Sequence, residues 1–402
     1  MDQRIAFRLA RAQAAAGLIG GITTPFFGAW LAWRGIAPSG IAAILAAGML
    51  LRVPVAPMSG LVADARNDRR GAMLVLYAIM FLSYGALNWA AAPFAIFLAA
   101  VGANVAAGAV TPLLESASVR LSEVYKFDYG HVRLWCSITF VAANVASGAA
   151  ISLFGLGVFA PWLTVTLALN LAAIRFLPAP PANRPRGDFA IRLRATLAEA
   201  RELLRNPTFR LFLACASLDQ ASHAVYYGFG GLHWRALGYS GTLIGVLWPL
   251  GVLAEIALMA VSLKVLRVVG AARLLLLGAA SCVLRWTIMA FDPPLSVVVL
   301  AQFLHGGTFA LAHLGAMYFV LKAVPPRLAA TAQSLYAVCS AGVAMGFATL
   351  ASGPLYAAYG GRAYLLMAAM GAVSLVLALL LMRQWHGGRL TSSGEEELVH
   401  TI

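Results

Sequence analysis

Two arginines and three carboxylates interrupt stretches that are otherwise apolar: Arg52, Glu115, Asp219, Glu255 and Arg285. An ionisable side chain among apolar neighbours is expensive to keep there, so each is a functional-site hypothesis by default. The polar residues around them are patterned. Asp219 and His223 are four residues apart and Tyr226 continues their face, the spacing of one side of a helix. Gln302, His305, Phe309 and His313 follow one face in the same way. Trp248 precedes Glu255 by two turns, Trp286 adjoins Arg285, and Gln333, Tyr336, Asn104 and Asn144 add further polar groups. The chemistry is that of holding an anion against a guanidinium fork. Three carboxylates against two arginines leave one carboxyl without a fixed cationic counterpart, the group suited to take up and release a proton. Glu255 is the first choice for that proton carrier and Asp219 the second, with His223 or His305 as relay and Glu115 as a further coupling group. Arg285 is the counter-charge or the anchor of a substrate carboxylate. Trp286, Trp248, Tyr226, Gln302, Phe309, Gln333 and Arg52 are the expected substrate contacts. Blander readings stand beside these: Arg52 and Glu115 as a structural ion pair, and the histidines, His313 above all, as hydrogen-bond links between helices.

The elements that position such groups must be membrane-spanning helices. Of 402 residues 61% are hydrophobic and 11% charged, where soluble domains carry about 25% charged residues. Apolar stretches recur from Ala12 to Met382, each near the roughly 20 residues that cross a bilayer as a helix. We expect an all-α membrane protein with twelve spans, at 12–33, 41–63, 72–90, 93–120, 131–153, 158–177, 208–235, 241–264, 272–291, 295–321, 329–352 and 361–382. At about 1.5 Å per residue, all the intramembrane charges but Glu115 lie roughly 15–20 Å from one membrane edge, near the middle of a core about 30 Å thick. Glu115 comes lower, at roughly 9 Å.

The formal charge of +14 would suggest nucleic acid in a soluble protein, but basic residues collect in cytoplasmic loops by the positive-inside rule. With the N-terminus inside, every Lys and Arg falls on the cytoplasmic side except Arg34, Arg235, Arg362 and the intramembrane Arg52 and Arg285. Both termini are therefore expected in the cytoplasm, with no nucleic-acid partner. Met1 to Arg11 followed by a full-length apolar run reads as an uncleaved first helix rather than a signal peptide.

One polar connection is long. It runs from Pro178, through a Pro-rich start, to Asn206, and carries Arg192, Arg194, Arg201 and Arg205 among Glu199 and Glu202. The expected organisation is a six-helix bundle over 1–177, a basic cytoplasmic linker over 178–207, a second six-helix bundle over 208–385 and a cytoplasmic tail over 386–402. Laying Gly28 on Gly231 also lays Gly35 on Gly238, Ile41 on Ile244 and Arg52 on Glu255. Repeats of that size are the architecture of a large class of secondary transporters. Cys136, Cys215, Cys282 and Cys339 stand singly, so neither a disulfide framework nor a metal site is suggested.

Gly60 to Arg70, with Asp64, Arg66, Asp68, Arg69 and Arg70, resembles the G-x-x-x-D-[RK]-x-G-[RK]-[RK] signature of the major facilitator superfamily, with Asn67-Asp68 where x-Gly is usual. An Asp ending a helix beside a basic turn can make ion pairs that hold one conformation and break in the other. We therefore expect Asp64, Arg66, Arg69 and Arg70 in a cytoplasmic gate, joined by Asp128 and Arg133.

Further segments resemble the phenylpropionate permease family within that superfamily. They are Ser222 to Phe229, Gly238-Tyr239-Ser240, Gly245 to Trp248 with Ala254-Glu255, Leu284-Arg285-Trp286, Gln302 to His305 with Thr308-Phe309 and His313, and Ala332-Gln333. Pro25-Phe26, Trp30-Leu31, Asp128-Tyr129-Gly130 and Arg133-Leu134-Trp135 extend the likeness into the first half. More distantly the chain is similar to nucleoside and oligosaccharide proton symporters. The resemblance implies proton-coupled uptake of an aromatic carboxylate such as 3-phenylpropionate. Three departures from it stand out: Asp219 replaces an apolar residue, Cys136 and Thr139 replace glycines, and Glu115 replaces Asp. The first departure points to a different solute or a different coupling.

The expected function is thus secondary active transport by alternating access, in a monomer of the bacterial inner membrane, with protons as coupling ion and no cofactor. Symport of nucleosides or sugars, and proton-antiport efflux, are the alternatives. A polytopic membrane enzyme is the remote one, since no nucleophile triad or large polar loop supports it. ATP-driven transport within this chain would need a G-x-x-x-x-G-K-[ST] loop, which it lacks.

Overall fold

The computed structural model describes residues 3–178 and 189–390. The start of the linker, from 179 to 188, and the tail from 391 lie outside the described residues, as do the side chains of 189–192, Leu263 and Arg267. The described residues are helical with no strand. The α-helices are α1 (Gln3–Trp33), α2 (Pro38–Ala65), α3 (Arg69–Ala86), α4 (Pro93–Tyr125), α5 (Tyr129–Phe154), α6 (Phe159–Arg175), α7 (Phe189–Arg205), α8 (Pro207–Ala221), α9 (Ala224–Ala236), α10 (Gly241–Ala260), α11 (Ser262–Val269), α12 (Ala271–Met289), α13 (Leu295–Phe303), α14 (Ala312–Ala323), α15 (Ala329–Ala337), α16 (Met345–Tyr359) and α17 (Tyr364–Gln384). Nine helical stretches among the described residues are long and apolar enough to cross a membrane.

Local chemistry explains the boundaries. Prolines begin α2, α4 and α8, where a missing N–H costs nothing. Side chains cap three starts: Asp68 accepts from Gly71 N–H, Asp128 from Gly130 N–H, and Asn206 from the N–H groups of Thr208 and Phe209. Four expected spans are interrupted, the eighth of them at Val261, between α10 and α11. The seventh tightens at Ser222-His223, between α8 and α9. The tenth carries a π-helical turn over Gly306–Leu311, and the eleventh another over Val338–Ala344. The first span begins earlier than Ala12, because α1 continues back through the polar residues to Gln3.

Contacts divide the chain into two compact units that cut across the expected bundle boundary: Met1–Arg186 with Tyr226–Pro249, and Gly187–Val225 with Leu250–Ile402. In the first unit α1 packs along α5 and α6, while α4 packs on α2 and α3. Backbones there touch with nothing between them. A Cβ on Gly28 would lie 2.1 Å from the Gly228 carbonyl oxygen, and one on Gly231 would lie 1.8 Å from that of Pro25. The two contacts are images of each other, since the offset that lays Gly28 on Gly231 also lays Pro25 on Gly228. The repeat is thus visible as geometry, and Gly35 and Gly238 repeat each other too, with φ of 80° and 86° at the ends of α1 and α9. A second reciprocal contact joins α5 and α10: a Cβ on Gly148 would meet the Gly241 oxygen at 2.4 Å, and one on Gly241 the Gly148 oxygen at 2.6 Å. Gly231→Ala should therefore destabilise the fold by at least about 1–3 kcal/mol, the range for overpacked cores. Gly60→Ala, with nothing within 4 Å of its added methyl, should leave the thermal midpoint in detergent unchanged or raised. Equal midpoints for the two variants would refute the close-contact reading.

In the second unit α12 packs along α17, and α8 lies on α17, over a core that includes Phe212, Phe319 and Tyr336. The linker helix α7 docks on this unit through its acids. Arg327 makes two hydrogen bonds to Glu202, at 2.9 and 2.5 Å, and Thr331 donates to Glu199. The Arg327 guanidinium holds the Glu202 carboxyl below its ordinary 4.5. The sign follows: the pair's contribution is full above the unfolded value and is lost as pH falls through the lowered folded value. Both side chains are solvated, so its size should be under about 1 kcal/mol. Glu202→Gln should give a small loss of thermal stability at pH 7 that fades in acid, as pH falls below the ordinary carboxylate range and through the lowered folded value. A loss that persists in acid would mean the ion pair is not its source.

Candidate functional site

The cluster forms where α8, α12 and the π turn of the tenth span meet, all in the second unit. Arg285 of α12 is fully buried, at 0% exposure. One terminal nitrogen donates to His305 Nδ1 at 2.9 Å and to Thr308 Oγ1 at 3.3 Å, and the other donates to Gln302 Oε1 at 3.0 Å. The guanidinium carbon lies 4.5 Å from the centroid of the Trp286 ring, a cation–π contact.

The donors fix the histidine tautomers. Arginine has only donors, so His305 Nδ1 accepts and its ring is neutral with the proton on Nε2. His223 Nδ1 faces the Gln220 carbonyl at 3.1 Å and must donate to it. In the neutral ring His223 Nε2 then accepts from the Thr308 hydroxyl, 3.0 Å away. A relay runs from Arg285 through Thr308 to His223, and a proton arriving on His223 Nε2 would force the Thr308 hydroxyl to turn round.

Asp219 is the second centre. It is 1% exposed. Its Oδ1 accepts from the Cys282 thiol at 3.5 Å, and its Oδ2 has no hydrogen-bond partner among the described residues. Trp286 Nε1 donates to Ser222 Oγ at 3.1 Å, and Ser222 Oγ stands 3.2 Å from Cys282 Sγ and 2.7 Å from the Asp219 carbonyl. Trp286 thereby joins both centres, one through its ring face and the other through its indole N–H.

Phe309 is surrounded by imidazoles. Its ring lies 6.3 Å from that of His223, 5.5 Å from His305 and 6.1 Å from His313, and His313 approaches Tyr336 at 6.4 Å. Trp286 also stacks on Tyr364 at 5.8 Å. Room for this packing comes from glycine. A Cβ at Gly251 would be 3.0 Å from His305 Cβ, and one at Gly306 would be 3.2 Å from the Ala254 carbonyl oxygen. That contact brings the backbone beside Glu255 to the π turn, with Glu255 itself half-buried.

The other expected site residues make contacts of their own. Tyr226 and Trp248 belong to the first unit, where they stack at 4.3 Å with Trp234 edge-on to both. Gln333 is exposed on α15. Arg52 runs its stem against Gly108 of α4. Glu115 is held by Arg133 Nε at 2.9 Å and by the Tyr129 hydroxyl, so its ion pair is with Arg133 rather than Arg52. Asp128 does not meet Arg133. Its carboxylate caps α5 and pairs with His131 at 2.9 Å, and the Gly130 N–H and then His131 hold it below the usual carboxylate range. Asp64 pairs with Arg69 at 2.8 Å, Arg69 reaches Ser116, and Arg70 donates to the Leu177 carbonyl. These contacts staple α2, α3, α4, α5 and α6 at one end of the first unit, and Arg66 stands at the C-cap of α2 among them.

Thr308, Ser222, Cys282 and Tyr364 complete the cluster and were not among the expected site residues. A hydroxyl or thiol in an apolar helix carries no charge signal. Ser222, Cys282 and Thr308 stand three residues from Asp219, Arg285 and His305, a helical spacing that could have marked them, whereas Tyr364 on α17 has no such signal.

The model of the MFS_1 like family matches residues 17–367. The probable 3-phenylpropionic acid transporter of Escherichia coli (strain K12) is 32% identical over 361 residues, covering 89% of this chain and 93% of that protein. The maltose permease of Geobacillus stearothermophilus is 27% identical over 343 residues, covering 85% of this chain and 84% of that protein. Among solved structures, a point mutant of the nucleoside transporter NupG superposes with a TM-score of 0.83 at 18% identity, over 95% of this chain and 100% of that chain.

Proposed function

Because the chain belongs to the MFS_1 like family of membrane transporters, we propose that it imports a small aromatic carboxylate together with protons. The observation that carries the reading is the Arg285–Trp286 pair, a buried guanidinium fork held by three neutral acceptors directly over an aromatic face. A carboxylate takes the fork and an aromatic body takes the ring wall. The 32% identity to a protein described as a probable 3-phenylpropionic acid transporter supports that solute class.

Asp219 is the proton carrier in this proposal, ahead of Glu255, because it sits buried in a thiol–hydroxyl chain that ends on Trp286. His223 takes up a proton on Nε2, and the Thr308 hydroxyl turns round in response, which passes the change to the Arg285 guanidinium that donates to it. Substrate arriving at Arg285 competes with His305 and Gln302 for its donors, which couples solute binding to the rearrangement of the relay. The ion pairs of Asp64 with Arg69 and Glu115 with Arg133 close one end of the first unit in the gating cycle.

The membrane topology in this proposal has twelve spans. It adds α3 and the α8–α9 pair to the nine apolar stretches, and it divides the one running from Pro326 to Gln384 in two. Both termini face the cytoplasm, since that orientation satisfies the positive-inside rule, and the working unit is a monomer in a bacterial inner membrane.

Uptake of radiolabelled 3-phenylpropionate by proteoliposomes, with and without an inward proton gradient, tests the proposal. Accumulation only with the gradient is expected. No uptake by folded protein would remove the aromatic acid and move the proposal to nucleosides or sugars. Asp219, which can accept hydrogen bonds from solute hydroxyls, and the fold shared with a nucleoside transporter favour that second reading.

A further inference from the structure

Away from the cluster, the second unit holds a cavity of about 440 Å³ where α12 begins and α17 ends. Arg273 on α12, Lys322 on α14 and His386 just beyond α17 line it together with the aromatic rings of Tyr318 and Trp385, and no carboxylate is among its lining residues. The basic groups come from three separate elements, so the site is assembled by the fold and is not a run of charge in sequence. The segment after α17 is tied into place: Leu390 N–H donates to the Ala323 carbonyl at 2.7 Å, Trp385 Nε1 donates to the Gly388 carbonyl, and the Trp385 ring packs edge-on against Phe319 at 4.7 Å. The ammonium of Lys322 lies 5.6 Å from the Tyr318 ring centroid. The start of α12, at Gly270, has no side-chain cap and opens on the same cavity, which adds a weak positive field.

Beside these polar groups the wall is apolar, with Val269 and Met382 in the lining. Their surroundings present aliphatic groups outward, Val268 at 80% and Leu321 at 71% exposure. Tyr and Trp beside a basic pocket at the end of a bundle mark the membrane–water boundary, where basic pockets between helices take lipid head groups. We propose that this cavity binds the phosphate of one anionic phospholipid, with Arg273 and Lys322 on the phosphate oxygens, His386 at the mouth and the acyl chains along Val268 and Leu321. The site is independent of the transported solute.

Native mass spectrometry of the delipidated full-length protein in detergent tests it, with phosphatidylglycerol, phosphatidylcholine and inorganic phosphate as probes. One phosphatidylglycerol should be retained about tenfold more strongly than phosphatidylcholine. The double variant Arg273→Gln/Lys322→Gln should bring the two lipids level, Lys322→Gln alone should give an intermediate loss, and Lys322→Arg should keep the preference. Both side chains are exposed, so the thermal midpoint of the lipid-free protein should not move. Undiminished preference in the double variant would overturn the site. Equal retention of both lipids by the parent protein would overturn selection of an anionic phospholipid, and displacement of the lipid by equimolar inorganic phosphate would make this a site for free phosphate instead.

Discussion

Arg285→Gln should lower solute uptake by about 100-fold or more while the protein still reaches the membrane. The side chain donates to His305, Thr308 and Gln302, and a buried polar group left without its partner costs about 1–3 kcal/mol. At 1.4 kcal/mol per factor of ten, two such losses together with the lost charge–solute contact reach that range. Arg285→Lys separates charge from geometry. It keeps the positive charge but presents a point charge in place of a planar fork and loses the stacking on Trp286, so uptake should fall about tenfold. Initial rates in proteoliposomes, normalised to reconstituted protein and read beside a melting curve in detergent, check both. Full activity in the Lys variant would show that charge alone suffices and that the fork is not the anchor.

Asp219→Asn should abolish accumulation against a gradient and leave exchange of solute across the membrane intact. The amide has the shape of the carboxyl, so the packing against Cys282 and Ser222 is kept, but it cannot give up a proton. With one proton per solute, an inward gradient of one pH unit supplies about 1.4 kcal/mol, or about tenfold accumulation. The variant should show none, while counterflow of labelled against unlabelled solute continues. Accumulation unchanged from the parent protein would remove Asp219 from the coupling step. Glu255→Gln is then the decisive comparison, because Glu255 lies on α10 beside the Ala254 carbonyl that approaches the π turn.

What could be read in advance follows from how each group announces itself. Arg285, Asp219 and His305 are conspicuous because a charged or basic side chain in an apolar run has few explanations, and helical spacing is enough to bring His223 and Phe309 beside them. The pairing of Glu115 was not legible. Arg52 and Arg133 are both basic residues on neighbouring spans, and only the packing of α4 on α5 decides that Arg133, with Tyr129, reaches the carboxylate. The π turns were also hidden. Gly306-Gly307 permits such a turn, but two glycines permit many conformations, and it is the fit of Gly307 against Ser281 and of Gly278 against Ala312 that selects this one. The compact units cut through α10 because glycine contacts between α5 and α10 bind its first half to the first unit, and periodicity says nothing of which neighbour a helix chooses. The linker helix could be anticipated as a helix, whereas its docking through Glu202 and Glu199 depends on partners more than a hundred residues away.

The thiol of Cys282 gives the molecule a built-in vibrational reporter. Its S–H points at Asp219 Oδ1, and S–H stretching falls in a region of the infrared spectrum that water, amides and carboxyl groups leave clear. When Asp219 changes from carboxyl to carboxylate, the acceptor gains charge and the S–H band should shift to lower frequency and broaden. The other three thiols form a constant background that a Cys282→Ser difference spectrum subtracts. The charge state of one buried oxygen can thus be followed during turnover without attaching any label.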